Sequence, residues 1–372
     1  MKCGGVVTTT DRTVTTEDLK QQILETEASI IVADEEVLDK VLPIAQKHNV
    51  KTIFCVKSPW SNRKLPKGVI DFQKVMVGCV SETKDLEYSS TDIAVVTYSA
   101  AANGLLVGRM LTHENISTAA DIYEKFLQRM MRKELNYANI SEERLLYCSS
   151  LANMFGLLCM DVALIMGFTS PCLLITEPKN IVATLKQPIS EDFKVSSLEY
   201  VLCSGPVLGK GARNEFLQMF PSVQYMADGA GMIDGAPAAL IPNVEDKKNG
   251  NCVVPTCETK LVCARREVEA DEMGEIFLRG PTVMQGYIDD GEPIDANGWF
   301  HTGEVGHFDQ QGNIFVDGRL DDFIDVCGNQ YCPLSLLLFI VNVSVVIILD
   351  RGVKVEKGSS PIGVNKAGGL PN

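Results

Sequence analysis

Between Thr97 and Ile116 the chain reads "TYSAAANGLLVGRMLTHENI", and its residue types are those of a turn that could hold an anion. An apolar strand runs into a small-residue loop with Gly104 and Gly108, and a helix start follows. Backbone N–H groups in such a turn can face a phosphate. Ser99 adds a hydroxyl, but Ala100, Ala101, Ala102 and Val107 stand where a phosphate cradle wants small hydroxylated residues and a lysine. The same residues equally suit a turn that only links strand to helix.

The elements that must position this turn alternate in type. "CGGVVTTT", "ASIIVA" and "VKTIFCV" read as strands, separated by a helix from Thr16 to Glu27 and a second in "DEEVLDKVLPIAQKHN". Thr15 or Thr16 caps the first helix, with Glu17 and Asp18 in its opening turn. Strands alternating with helices predict an α/β fold with doubly wound, mostly parallel sheets. "DLEYSSTDIAVVTYS" delivers the loop, and "THENISTAADIYEKFLQRMM" reads as a helix with Thr112 or His113 near its start. Further on, "RLLYCSSLANMFGLLCMDVALIMGFTSPCLLI" places an apolar helix between two buried strands. "SSLEYVLCSGPVLGKGARNEFLQMFP" is strand, turn and helix, and "VQYMADGAGMIDG" is a strand ending in a glycine turn. From about Asn243 short strands with turn signals predict a small barrel or distorted sheet. The expected division is an α/β body over 1–242, a β-rich subdomain over 243–318 and a last piece over 319–372.

Composition narrows the partners. The chain has 372 residues, 45% hydrophobic and 22% charged, enough for two or three globular domains. Its net charge is -14 and its 34 Lys and Arg are scattered, so no basic stripe suits a nucleic acid. The 12 cysteines include no C-x-x-C pair, and Cys252, Cys257 and Cys263 lack a neighbouring His to complete a zinc site. Reduced thiols in a cytoplasmic compartment are the expectation. "MKCGGVVTTTDRTVTTEDL" has no apolar run before a cleavage site, and "GGLPN" is neither a prenylation box nor a peroxisomal signal. The uncharged run from Leu334 to Leu349, "LSLLLFIVNVSVVIIL", is shorter than the roughly 18 to 20 residues of a membrane span. Its β-branched second half predicts a buried strand.

Three stretches carry a family likeness. "TYSAAANGLLVGRMLTHENI", "YMADGAGMIDG" and "NGWFHTGEVGHFDQQGNIFVDGRLDDFIDVCGNQ" resemble, in order and spacing, the signatures of the adenylate-forming (AMP-binding) superfamily. Within it the chain looks most like acyl-CoA synthetases of the coumarate-CoA ligase and luciferase type, in a divergent and truncated form. The glycine-framed His-Thr-Gly-acidic turn followed by a D-x-x-G hairpin is the most specific part. The resemblance implies ATP or AMP with Mg²⁺, and CoA, as cofactors, with a small carboxylic acid as substrate. Such enzymes join the acid to the α-phosphate of ATP, expel pyrophosphate and pass the acyl group to the thiol.

Carried over residue by residue, the likeness is uneven. The phosphate loop keeps Ser99, Gly104 and Gly108 but has Ala101 and Ala102 for hydroxyls and Val107 for the lysine. A charge-assisted hydrogen bond is worth about 1.5 to 3 kcal/mol, so losing the ammonium should weaken triphosphate binding about tenfold or more. Arg109 is expected to substitute only if the loop shifts register. In the second stretch Gly229 and Gly231 remain, the adenine-stacking ring is Ala230, and Ile233 lacks a hydroxyl. Asp234 is either a shortened Mg²⁺ ligand or a turn acid. His301, Thr302 and Gly303 are kept, and Glu304 takes the place of the acid that accepts the ribose hydroxyls. Arg319 is the nucleotide-contacting arginine or else a surface partner of Asp321 or Asp322. On the acyl side stand Asn153, Phe155 and Gly156, with Ser204 and Gly205 in a shortened turn. A shortened segment before that turn predicts an exposed sheet edge and self-association. The family's mobile domain is expected to be reduced to a remnant after Pro333, with Lys366 in no matching context and Asp325 and Cys327 at the family's linker lysines. The reading is an acid-thiol ligase homologue with strongly impaired catalysis, or a non-catalytic binding protein.

Overall fold

The computed structural model of the chain describes residues 4–78, 87–100, 106–135, 144–148, 150–166, 171–187, 196–204, 208–228, 235–243, 251–254, 256–263, 265–289, 291–320, 324–326 and 329–331. They belong to two compact units, Met1–Asp321 and Asp322–Asn372.

The first unit opens as the sequence predicts. The Thr15 hydroxyl accepts from the Asp18 N–H at 3.1 Å and caps the helix Thr16–Glu25. Leu19 and Ile23, four residues apart, share one face, as do Leu38, Val41 and Ala45 in the helix Leu38–Lys47. Both stripes close over Ala33, Ile53 and Cys55 of a 3-stranded parallel sheet, Ile30–Asp34, Thr52–Val56 and Val69–Asp71.

The small-residue loop departs from expectation. It does not lead into a helix: Ile93–Ala100 pairs antiparallel with a second strand, Leu106–Thr112. Residues 108, 109, 111 and 112 are buried, which a fully packed inner strand allows and an amphipathic helix start does not. Val7–Thr8 flanks this hairpin on one side and Gly286–Tyr287 on the other. The helix His113–Leu135 begins only afterwards. Thr112 Oγ1 accepts from the Asn115 N–H at 3.1 Å and Asn115 Oδ1 accepts from the Thr112 N–H at 2.8 Å, a reciprocal start signal.

A 4-stranded parallel sheet follows, ordered Tyr225–Asp228, Tyr200–Cys203, Pro171–Thr176, Arg144–Cys148. The helices Met154–Met166, Pro178–Leu185 and Lys210–Met219 lie in its crossovers. The β-rich part is a 7-stranded sheet ordered Leu240–Pro242, Asn251–Val253, Ile314–Arg319, Phe300–Phe308, Gly274–Arg279, Glu258–Cys263, Arg266–Glu267. Its strands pair antiparallel, with irregular register between Glu275 and Phe277 and between Val305 and Gly306. One core cluster includes Leu111, Tyr123, Leu127, Phe155, Leu173, Leu202, Leu261, Ile276 and Phe300, joining the hairpin, two helices and both larger sheets.

In the second unit Ile324–Val326 pairs antiparallel with Asn329–Tyr331. The run Leu334 to Leu349 and Lys366 lie outside the described residues. Among the described residues no helix is long and apolar enough to cross a membrane.

Candidate nucleotide site

At the hairpin, Ser99 lies opposite Val107 and Thr97 opposite Arg109, in regular register. Arg109 and Ser99 are therefore diagonal neighbours on one face, about 7 to 8 Å apart and within reach of a long side chain. Arg109 is 6% exposed. Its Nη1 donates to Ser99 Oγ at 2.5 Å and to the Val107 carbonyl at 3.3 Å, and the guanidinium lies 5.7 Å from the centroid of the Tyr287 ring. In this regular register the arm of Arg109 covers the diagonal to Ser99.

Gly108 has a packing reason to be glycine. A Cβ there would meet Ile288 Cγ2 at 2.7 Å and Tyr98 Cζ at 2.8 Å. The Tyr98 ring crosses its partner's backbone, and its hydroxyl donates to Glu25 Oε2 at 2.9 Å. Burial, and then the hydrogen bond to the Glu25 carboxylate, raise the Tyr98 phenol pKa, so the proton stays on the oxygen. Gly104, Ala101 and Ala102 lie outside the described residues.

On the antiparallel sheet, Asp295 Oδ1 accepts from the Asn297 and Trp299 N–H groups, an Asx-type turn that starts the strand Phe300–Phe308. Lys260 Nζ at 4.2 Å and the Arg279 guanidinium at 4.6 Å lie over the Trp299 ring and hold it in place. His301 tilts over Phe277, with ring centroids 4.0 Å apart, and pairs with Asp295 at 3.6 Å. The Thr302 hydroxyl donates to the Ile276 carbonyl at 2.6 Å and accepts from the Glu304 N–H at 3.0 Å. Gly303 takes φ +69, a conformation that favours glycine, and its N–H donates to Glu275 Oε1 at 3.1 Å. Thr302 thus fixes the backbone that presents Glu304. Glu304 and Arg319 are cross-strand partners, with Oε1 and Nε 4.0 Å apart. Sequence reasoning offered Arg319 only a nucleotide or Asp321 and Asp322; the partner shown is Glu304, and both aspartates lie outside the described residues.

The segment Met284–Ile288 joins the first two motif stretches, and Gly235 meets the third. Its Gly286 and Tyr287 pair with Met110 and Arg109, and the Ile288 N–H donates to the Gly108 carbonyl at 2.9 Å. The Met284 N–H donates to the Gly235 carbonyl at 2.7 Å. A Cβ on Gly235 would lie 2.8 Å from Met284 Sδ and 3.2 Å from Phe300 Cζ. Gly235 closes the second stretch and Phe300 lies near the start of the third. Gly229, Gly231 and Asp234 lie outside the described residues, as does Gly205. Among the described residues no cluster of His, Cys, Asp and Glu could hold a metal ion.

On the acyl side, Asn153 Oδ1 accepts from the Gly156 N–H at 2.8 Å and caps the helix Met154–Met166. Phe155 and Gly156 are buried in its first turn, the Phe155 ring edge-on to Tyr123. Ser204 is buried at the end of the strand Tyr200–Cys203, its N–H donating to the Thr176 carbonyl at 3.0 Å. A contact that no motif signalled ties this region to the first strand: Ser150 Oγ donates to Asp11 Oδ2 at 2.7 Å. Hydrogen bonds from the Thr13 backbone, then from Ser150 and the Thr13 hydroxyl, lower the Asp11 carboxyl pKa to about 2.

Residues 1–191 and 173–288 match the family described as AMP-binding enzyme. The chain is 26% identical over 366 residues to 4-coumarate–CoA ligase 1 of Petroselinum crispum, covering 90% of this chain and 65% of that protein. It is 26% identical over 375 residues to 4-coumarate:CoA ligase 1 of Petunia hybrida, covering 91% and 66%. It thus spans just under two thirds of the length of these curated relatives. Its fold resembles the anthranilate CoA ligase AuaEII in complex with anthranoyl-AMP, with TM-score 0.75 and 16% identity over 90% of this chain and 67% of that one. It also resembles ATP-bound MatB from Rhodopseudomonas palustris, with TM-score 0.70 and 18% identity over 90% and 68%.

Proposed function

We propose, from the premise that the chain belongs to the AMP-binding enzyme family, that it is an acyl-CoA-synthetase-like protein that retains adenine-nucleotide binding while its ligase chemistry is strongly impaired. The family's members are ATP-dependent, AMP-forming acid–CoA ligases. ATP with Mg²⁺ would supply the adenylyl group and its charge neutralisation, and CoA the accepting thiol.

The residues fit the nucleoside half of that ligand. Glu304, held by Thr302 and facing Arg319, is a carboxylate placed to accept from paired hydroxyls such as those of a ribose. Gly229 and Gly231 would flank the base, with Asp234 as the metal-side acid. Ser99, with the backbone at Gly104 and Gly108, would face the phosphates. Asn153, Phe155, Gly156, Ser204 and Gly205 would border the carboxylic acid.

The observation that carries the reading is that Met284–Ile288 joins the first two stretches and Gly235 meets the third at Phe300, while Val107, opposite Ser99, brings no ammonium to the phosphates. Binding needs the gathered geometry; adenylation also needs positive charge on the phosphoryl groups as charge develops. AMP at about a hundred times its dissociation constant should raise stability by about 2.7 kcal/mol in a thermal shift. ATP–pyrophosphate exchange with fatty and aromatic acids should stay about 10³-fold or more below that of an intact ligase, on the scale of lost phosphoryl-stabilising cations. Exchange at an intact ligase's rate would overturn the impairment, and no AMP shift at millimolar concentration would overturn nucleotide binding.

A further inference from the structure

Arg109 is a buried cation with an unpartnered edge. Among the described residues it has no carboxylate partner, although it is 6% exposed. Leaving a guanidinium out of water without a counter-charge is costly. Its Nη1 is occupied by Ser99 and Val107, but its Nε has no hydrogen-bond partner. Nε together with Nη2 forms the side of the guanidinium that grips two oxygens of one oxoanion at once. Ser99 accepts from Arg109 through its oxygen, so its own O–H remains free to donate. The Tyr287 ring beneath the guanidinium helps hold the plane of the fork.

We propose that Arg109 and Ser99 form a phosphoryl-anion anchor peculiar to this chain, in which the ligand supplies the missing counter-charge. The anchor rests on the nucleotide-binding reading but not on turnover. It accounts for a buried arginine beside the position where Val107 has removed a lysine. A ground-state anion is held from the base of the hairpin.

The test uses inorganic pyrophosphate and AMP as separate probes on the full chain, by calorimetry and thermal unfolding. Wild type should bind pyrophosphate, Arg109→Met should weaken it about tenfold or more, and Ser99→Ala should weaken it several-fold. Arg109→Lys, a point charge without the fork, should fall between wild type and Arg109→Met. Unliganded Arg109→Met should melt at or above the wild-type temperature, because it removes an unpaired buried charge. A purely structural arginine predicts the opposite: a lower melting temperature with pyrophosphate binding unchanged, which overturns the proposal. Should Arg109→Met fail to fold, wild-type pyrophosphate affinity in Ser99→Ala overturns it equally. AMP binding without pyrophosphate binding sinks the anchor and leaves the nucleotide reading. Arg109-dependent pyrophosphate binding without AMP binding does the reverse.

Discussion

On the antiparallel sheet Glu304 and Arg319 face each other across paired strands, partly exposed, with 4.0 Å between their charged atoms. At the hairpin Arg109 is buried, and what meets it is a hydroxyl, a carbonyl and an aromatic face. The first arrangement sets a carboxylate against a guanidinium. The second is left short of negative charge. On the proposed reading the nucleoside side keeps the kind of group its ligand needs, whereas the phosphate side has Val107 in place of an ammonium and the fixed guanidinium of Arg109 nearby. A fixed cation can hold an anion in place, but it cannot move with one that changes shape.

Substitutions can press on that contrast in order of effect. Gly306→Ala should cost the most, about 3 kcal/mol or more in a denaturant titration, because the new Cβ runs into the Phe315 carbonyl oxygen of the paired strand. Gly108→Ala at the hairpin should cost about 1 to 2 kcal/mol, since it meets the ends of the Ile288 and Tyr98 side chains, which can yield. Equal costs would mean that the two backbones are equally rigid. Next, Glu304→Ala should weaken AMP about tenfold to a hundredfold in calorimetry while leaving pyrophosphate binding intact. Loss of both together would erase the distinction between the two sides.

Asp11 carries the acid sensitivity of the region beside the hairpin. Its pKa is lowered on folding from the ordinary 3.8 to about 2, so its contribution is full above about pH 4 and is lost as the pH falls through 2. Asp11→Asn should therefore cost up to about 2 kcal/mol near neutral pH, with the cost fading as the pH falls through the folded pKa of about 2, read from denaturant midpoints across that range. A pH-independent difference would assign the loss to packing. The smallest effect expected is that of Tyr98→Phe, about 1 kcal/mol for one hydrogen bond to Glu25, with AMP affinity unchanged.

Much of this was legible in advance. The opening helices, the parallel strands and the β-rich sheet follow from periodicity and capping, which act over a few residues, as at Thr15 and Asp18. The hairpin was misread because an apolar run after a glycine loop does not reveal whether it will be covered on both faces. Leu106–Thr112 is covered on one edge by Gly286–Tyr287, which lies far along the chain. The partnership of Arg319 with Glu304 was hidden for the same reason: register across a bulged pair of strands cannot be counted from sequence when the pairing shifts between Val305 and Gly306. Asn153 could have been recognised as a cap from its place before an apolar helix.

The sequence by itself determined the family, most of the elements and the absence of a lysine at Val107, because motif glycines, capping residues and the identity of Val107 are local properties. Only the tertiary structure decided which charges find partners. Arg109 turns onto Ser99 because the hairpin makes them diagonal neighbours, and it is buried because Tyr287 arrives from a distant strand. Burial and pairing are properties of neighbours that the fold assembles, and they give one arginine a carboxylate across paired strands and leave the other against a hydroxyl, a carbonyl and an aromatic ring.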